Sequence, residues 1–307
     1  MALEQYVNKE NYMMKTTLIT LITICALSNG AIIKEAFADT ECKKADLIVN
    51  SSGDMKFGQI LNPPKGTDYA VWFPIVPTAL AIDSKGNIYV GDSVKYRVLK
   101  YNKNGKFILK YSLQKPTRTK KPELSHIIQD MSLDLSDNLY VINLYEYRVE
   151  IYNAEGKFVR NIDYYNDAVS QPKPQKRYQP YKISVDKKGN VYLYGHNMNM
   201  IYSSNGQLKN KTDRKSAINN KDDMVGYSGF EYDINSYAPN PKLPGKIMDV
   251  IVIKDKNKNI IKKCDKLDIE VAFDDAGKIY KTDNYGNIYT FDYYDTLNVI
   301  KIFTNLK

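Results

Sequence analysis

Chemistry-bearing side chains are few in this chain, and they fall in groups. His126 and His196 are its two histidines. A three-histidine metal site is therefore impossible, and either histidine acts at most as a lone base. No nucleophile elbow, metal-spaced His/Glu cluster or glycine-rich phosphate loop occurs. What recurs is tyrosine beside a cation: Lys95-Tyr96-Arg97 and Tyr145-Glu146-Tyr147-Arg148, with His196-Asn197-Met198 as a third cluster. Two further stretches are rich in proline and positive charge, Lys115-Pro116-Thr117-Arg118-Thr119-Lys120-Lys121-Pro122 and Pro172-Lys173-Pro174-Gln175-Lys176-Arg177-Tyr178. Aromatic faces stack on sugars, and cationic groups hold anions through charge-assisted hydrogen bonds. Recognition of a glycan or an acidic protein is the chemistry these residues offer, and catalysis has little to draw on. Each also has an ordinary reading, because tyrosines pack in strands and basic loops are solvated surface.

Something must hold those groups in place, and a repeat supplies it. Ala79-Leu80-Ala81-Ile82-Asp83 passes through Ser84-Lys85-Gly86-Asn87 into Ile88-Tyr89-Val90-Gly91-Asp92. The phrase returns at residues 183–193 and 271–280, and again at 131–140, where Asp137 replaces the glycine. Each copy is two short apolar strands around a turn, in which Asp bonds the backbone and Gly accepts a positive φ. A second hairpin follows the first. Arg97-Val98-Leu99-Lys100-Tyr101 turns through Asn102-Lys103-Asn104-Gly105 into Lys106-Phe107-Ile108-Leu109, and residues 148–159 repeat it. The alternation predicts strands with one buried face. One unit is thus four antiparallel strands, A to D. A fainter copy has 250–253 and 259–262 as its C–D hairpin and 230–233 as its A strand. The turn aspartates then fall at Asp83, Asp134, Asp186, Asp233 and Asp274. The 26 Tyr against 9 Phe and 1 Trp also lean toward strands.

The order apolar-Asp-x-x-Gly-Asn-Ile-Tyr-Val, Gly-Asp, Arg-Val and a Gly-Lys-Phe hairpin resembles the NHL repeat across residues 79–303. The resemblance implies an all-β fold, a β-propeller of four-stranded antiparallel blades around a central channel. Six blades are expected, with residues 45–76 as a degenerate blade or closing segment; five is the alternative count. It also implies that Asp92 and Arg97 pair within their blade and are structural. Asn143 stands where Asp92 would be, which leaves Arg148 less committed and the better candidate for binding. Successive strands reverse direction, so B–C loops and D–A connections emerge at one end. Lys95, Tyr96, Tyr145, Tyr147, Arg148, His196, Lys120, Lys121, Lys176, Arg177 and Tyr178 are the binding candidates there. Propeller lactonases hold a divalent ion through acidic and amide oxygens near the channel, but the recurring aspartates sit in A–B turns at the other end. The expectation is a binding or scaffold propeller without cofactor or metal. A propeller hydrolase or lyase with an oxygen-ligated divalent ion is the alternative.

Lys15, the apolar run 18–27 and Ala36-Phe37-Ala38 read as an export signal covering residues 1–38, which leaves 39–307 as one propeller domain. The run is too short and too threonine-rich for a comfortable span, and an uncleaved N-terminal anchor is the lesser reading. The expected location is secreted or periplasmic, and export argues against a nucleic-acid partner. The net charge of +9 is spread along the chain, which suits solubility or an acidic protein or glycan. Cys42 and Cys264 remain beyond the signal. An oxidising compartment would join them if the fold brings them together; otherwise they stay two thiols.

Overall fold

The same turn chemistry organises the A–B hairpins of four sheets. In the turns at Asp83, Asp134, Asp186 and Asp283, the Asp N–H donates to the carbonyl four residues on, and the residue three on donates back to the Asp carbonyl. The Asp carboxylate then accepts backbone N–H groups two and four residues later and the side-chain amide of Asn87, Asn138, Asn190 or Asn287. A tyrosine hydroxyl (Tyr89, Tyr140, Tyr192, Tyr289) completes each set. The fourth turn residue is left-handed, glycine in three of the four and Asp137 at φ 58° in the other. These four aspartates are turn residues whose carboxylates accept hydrogen bonds locally.

The computed structural model describes residues 42–48, 77, 79–114, 128–144, 146–169, 179–195, 198–213, 231–239, 247–264, 273–274, 277–278, 280–283, 285–292, 298–304 and 306. The segment read as an export signal, and most of 45–76, lie outside them. In chain order the strands begin with β1 (Lys43–Ile48). A first sheet follows: β2 (Ala79–Ile82), β3 (Ile88–Asp92), β4 (Arg97–Tyr101) and β5 (Phe107–Ser112). The second is β6 (Ile128–Leu133), β7 (Leu139–Asn143), β8 (Arg148–Tyr152) and β9 (Phe158–Asp163). After the short helix α1 (Tyr165–Val169) comes the third: β10 (Pro180–Val185), β11 (Val191–Gly195), β12 (Met198–Tyr202) and β13 (Leu208–Asp213). A three-stranded sheet is next, β14 (Glu231–Pro239), β15 (Ile247–Lys254) and β16 (Ile260–Cys264). It is followed by the two-residue strands β17 (Phe273–Asp274) and β18 (Gly277–Lys278). The last sheet holds β19 (Tyr280–Thr282), β20 (Ile288–Asp292) and β21 (Asn298–Phe303). All described pairings are antiparallel, and the first three sheets run A-B-C-D in strict sequence order.

One expected turn position is corrected: Asp233 lies within β14 opposite Val252. Asp274 does stand at a hairpin, where it pairs with Gly277, but that hairpin is a separate two-stranded sheet. The A–B turn of the last sheet is closed by Asp283 and Asn287, and Asp283 lies nine residues beyond Asp274. Both segments spell Asp-x-x-Gly, but only the second precedes strands long enough to build a blade. The C–D hairpin expected at 250–262 is present. It carries the one-residue register shift beside its turn that marks β4/β5, β8/β9 and β12/β13 and is missing from β2/β3 and β19/β20.

The sheets pack face to face as propeller blades. Val98 of β4 faces the second sheet with Met131, Leu139 and Val141, while its neighbours Leu99 and Tyr101 face the last sheet with Tyr289, Phe291 and Val299. Sheets two and three share Ile142, Val149, Ile183 and Leu193, and the β14–β16 sheet meets the last through Ile251, Ile253, Ile300 and Ile302. In the first two blades the B and C strands are buried on both faces, not one: all of β3, β4, β7 and β8 is buried, while β11 of the third blade alternates buried and half-buried residues. The D strands β5 and β9 form the rim and are largely exposed. The described residues hold five sheets of three or four strands where six blades were expected.

The last sheet takes its D strand from the other end of the chain. β1 pairs with β21, so the order is β19-β20-β21-β1. Cys42, at the start of β1, is bonded to Cys264 at the end of β16, with a Cα–Cα distance of 5.6 Å. Both cysteines are buried in the cluster between those sheets. A recurring contact locks blade to blade: Gly156 sits on Leu109 of β5, Gly206 on Arg160 of β9, and Gly105 on Leu47 of β1. β1 therefore presents to the first blade the surface that β5 presents to the second.

Candidate functional site

B–C loops and D–A connections do share an end, because strands reverse, and backbone bonds tie them together. Leu113 N–H, just past β5, donates to the Tyr96 carbonyl at 3.0 Å, and Tyr164 N–H, just past β9, donates to the Tyr147 carbonyl at 2.9 Å. Tyr96 (φ 52°) and Tyr147 (φ 54°) are both left-handed, an uncommon state for a bulky residue. The loops are held in a strained, repeated shape in which each tyrosine carbonyl is bonded to the start of the next connection.

In the first blade Arg97 Nε bonds Asp92 Oδ2 at 3.0 Å, with the Asp92 side chain fully enclosed. The Asp92 carboxylate also accepts the Lys95 N–H at 3.2 Å, while the Lys95 side chain is exposed. Asp92 and Arg97 are a within-blade pair. The second blade reaches the same end with different parts. Arg148 NH2 lies 2.9 Å from Glu150 Oε1 and NH1 lies 3.4 Å from Glu146 Oε2. Asn143 Nδ2 donates to Glu150 Oε1 at 3.0 Å, and the Tyr152 hydroxyl and Gln114 N–H donate to Glu150 Oε2 at 2.6 and 3.1 Å.

The inference that asparagine at 143 leaves Arg148 uncommitted is thereby corrected. The acid has moved from the end of the B strand to Glu146 and Glu150, and Arg148 is buried with it. Glu150 occupies the register position of Leu99 and Met200. An ionisable residue at an apolar repeat position was the readable signal for it. Burial, and then Glu150, push the Tyr152 hydroxyl pKa far above its usual range, while the Gln114 N–H and Arg148 pull weakly the other way.

Beside this network Tyr147, Tyr164 and Tyr165 form an edge-to-face cluster, with centroids 6.1 Å (Tyr147–Tyr164) and 5.3 Å (Tyr147–Tyr165) apart. Tyr164 is buried and Tyr165 is 41% exposed. α1 is seated on the third blade: the Tyr202 hydroxyl donates to Asp167 Oδ2 at 3.0 Å and Lys211 Nζ to the Asp167 carbonyl at 2.8 Å. Reading the repeats missed Tyr164 and Tyr165 because they follow the D strand, where no repeat pattern runs. Tyr145, Lys120, Lys121, Lys176, Arg177, Tyr178 and His196 lie outside the described residues. Of the binding candidates, Lys95, Tyr96 and Tyr147 stand at the loop end partly or fully exposed.

On the inner strands, Lys281 Nζ of β19 bonds Asp130 Oδ1 of β6 at 2.8 Å and the Met131 carbonyl at 3.2 Å. Asp130 Oδ2 accepts the Ile183 N–H of β10 at 3.0 Å. This carboxylate joins three blades. Lys281 stands at the register position of Ala81, Ser132 and Ser184. Among the described residues, no group of three or more His, Cys, Asp or Glu could hold a metal ion, and no helix is long and apolar enough to cross a membrane.

No protein-family model matches the chain. No curated protein matches it in sequence. Solved structures similar to it include a catalytically inactive variant of virginiamycin B lyase from Staphylococcus aureus with quinupristin, at 13% identity and TM-score 0.42, covering 78% of this chain and 82% of that one. The Pan2 WD40 domain of Neurospora crassa is similar at 11% identity and TM-score 0.38, over 73% and 77%. Hydrazine synthase of Kuenenia stuttgartiensis is similar at 12% identity and TM-score 0.35, over 78% and 68%.

Proposed function

We propose that the protein is an exported, NHL-type binding or scaffold propeller that recognises a protein or glycan partner of acidic character through its B–C/D–A end. The observation that carries this reading is the chemical difference between the two ends of the blades. At the A–B/C–D end the Asp and Asn side chains of the turns are spent on the turns themselves. At the other end two loops hold tyrosines in left-handed conformations, an aromatic cluster of the second blade reaches solvent at Tyr165, and Lys95 is exposed next to Tyr96 in the first. Binding groups concentrate on loops that a rigid scaffold positions. Arg148 contributes by fixing the loop, since its guanidinium is bonded inside the blade.

A glycan-array and pull-down screen tests the reading. With a partner in hand, Lys95→Ala combined with Tyr147→Ala is expected to weaken binding at least about tenfold, the scale of a lost stacking and charge contact. Lys85→Ala combined with Lys103→Ala removes more charge at the opposite end and should change affinity little. Equal losses would mean attraction by net charge alone, which physiological salt screens beyond about 8 Å. A stoichiometric divalent ion in the purified protein would favour the metal-dependent hydrolase or lyase instead.

A further inference from the structure

We propose that the Cys42–Cys264 disulfide is a redox latch on the strand that closes the ring: oxidised, the chain is a sealed propeller, and reduced, it keeps its blades but releases β1. β1 differs from the other D strands in how it is fastened. β5 and β9 are each delivered by a five-residue turn from their own C strand, so their pairing is local. β1 has no such turn, and residues 49–78 separate it from β2. Its composition, Lys-Lys-Ala-Asp-Leu-Ile, buries only Ile48 fully within the strand. What fastens it is five register pairs to β21, the backbone contact of Leu47 with Gly105, and the bond from Cys42 to Cys264. The disulfide is the one covalent tie between β1 and the sheet beside it, and it lies in the apolar cluster between the two.

Opening is a two-electron reduction by a dithiol. One of its thiolates attacks a cysteine sulfur and expels the other cysteine as a thiolate. Its second thiol then resolves the mixed disulfide, so the protein leaves with two thiols and the reductant with a disulfide. Because both cysteines are buried, attack requires β1 to lift first, which keeps the seal closed against brief exposure to reductant. Released, β1 uncovers the β21 edge and the Gly105 turn.

Amide exchange on the full chain, oxidised and after reduction to two thiols by mass, tests this, with Cys42→Ser/Cys264→Ser as the second arm. Exchange in β1, β21 and the turn at Gly105 is expected to rise at least about tenfold, a modest local opening, with β7 and β11 unchanged. Unchanged exchange in β1 would show that the ring closes without the bond. An equal rise in β7 and β11, or a double variant that does not fold, would show that the bond supports the whole fold. Either result overturns the latch, and neither bears on the binding reading.

Discussion

Removing the Arg148 guanidinium would strand two enclosed carboxylates, Glu146 and Glu150, that it now bonds together. Breaking a buried pair costs more than the pair's net worth, because the remaining charge stays desolvated. Arg148→Ala is therefore expected to lose about 3–5 kcal/mol in denaturant unfolding. Lys95→Ala, exposed at the same end, should stay within about 0.5 kcal/mol. A near-neutral Arg148→Ala would mean that water reaches Glu150 despite its enclosure. Any binding measurement on an Arg148 variant must be read against this stability loss, and for that reason Lys95 and Tyr147 are the better probes of recognition.

The turns separate two costs that a glycine substitution usually mixes. Gly86 is left-handed at φ 79°, with its nearest neighbour, the Lys103 Cβ, 3.6 Å from an added methyl. Gly86→Ala should cost roughly 1–2 kcal/mol, the conformational penalty alone. Gly105 has a similar φ of 80°, but its added Cβ would lie 1.8 Å from the Leu47 carbonyl oxygen of β1. Gly105→Ala should cost clearly more, and the excess should shrink when β1 is already released by reduction. Thermal melts of both variants with and without reductant check this.

Acid sensitivity belongs to the same turns. Burial raises the Asp186 pKa, but hydrogen bonds from Asn190, the Lys188 N–H and the Tyr192 hydroxyl outweigh it and leave the carboxyl below its ordinary value. A folded pKa below the unfolded one contributes stability above the unfolded value, about 3.9, and that contribution is lost as pH falls through the folded value. Asp186→Asn should lower stability at neutral pH and flatten the acid limb of the unfolding curve.

Across the whole molecule, tyrosine makes the alkaline limit. Burial first, with nearby carboxylates adding in most cases, raises the hydroxyl pKa of Tyr89, Tyr111, Tyr140, Tyr152 and Tyr289, and Tyr101 is pushed up to about 12. A folded pKa above the unfolded one gives stability that is complete below the unfolded value, about 10, and is lost as pH rises. Each tyrosine that ionises only in the unfolded chain removes about 1.4 kcal/mol per pH unit in that range. Titration at 295 nm should show an early non-cooperative fraction from exposed rings. A cooperative step coincident with loss of the far-UV β signal should follow. Smooth ionisation of every tyrosine without unfolding would contradict the buried hydroxyls.

The strands and turns of the first two blades and the A–B hairpin of the third were legible from the sequence, because Asp-x-x-Gly-Asn turns and period-two strands act within a few residues; Met198, read as part of a loop cluster, instead begins β12. The structural role of Asp92 and Arg97 was implied by the resemblance to the NHL repeat, and the common end of the B–C and D–A segments followed from the reversal of successive strands. Long-range closure was not legible. Asp283 rather than Asp274 serves the last sheet because only its hairpin meets β21 and, through it, a strand from the other end of the chain. Arg148 finds its acids at Glu146 and Glu150, in the loop and on the C strand, where no repeat template places one. Cys42 reaches Cys264 because β1 completes a sheet next to β16. Local rules act along the chain and are written in the order of residues. These last pairings depend on which blades become neighbours when the ring closes, and only the tertiary structure decides that.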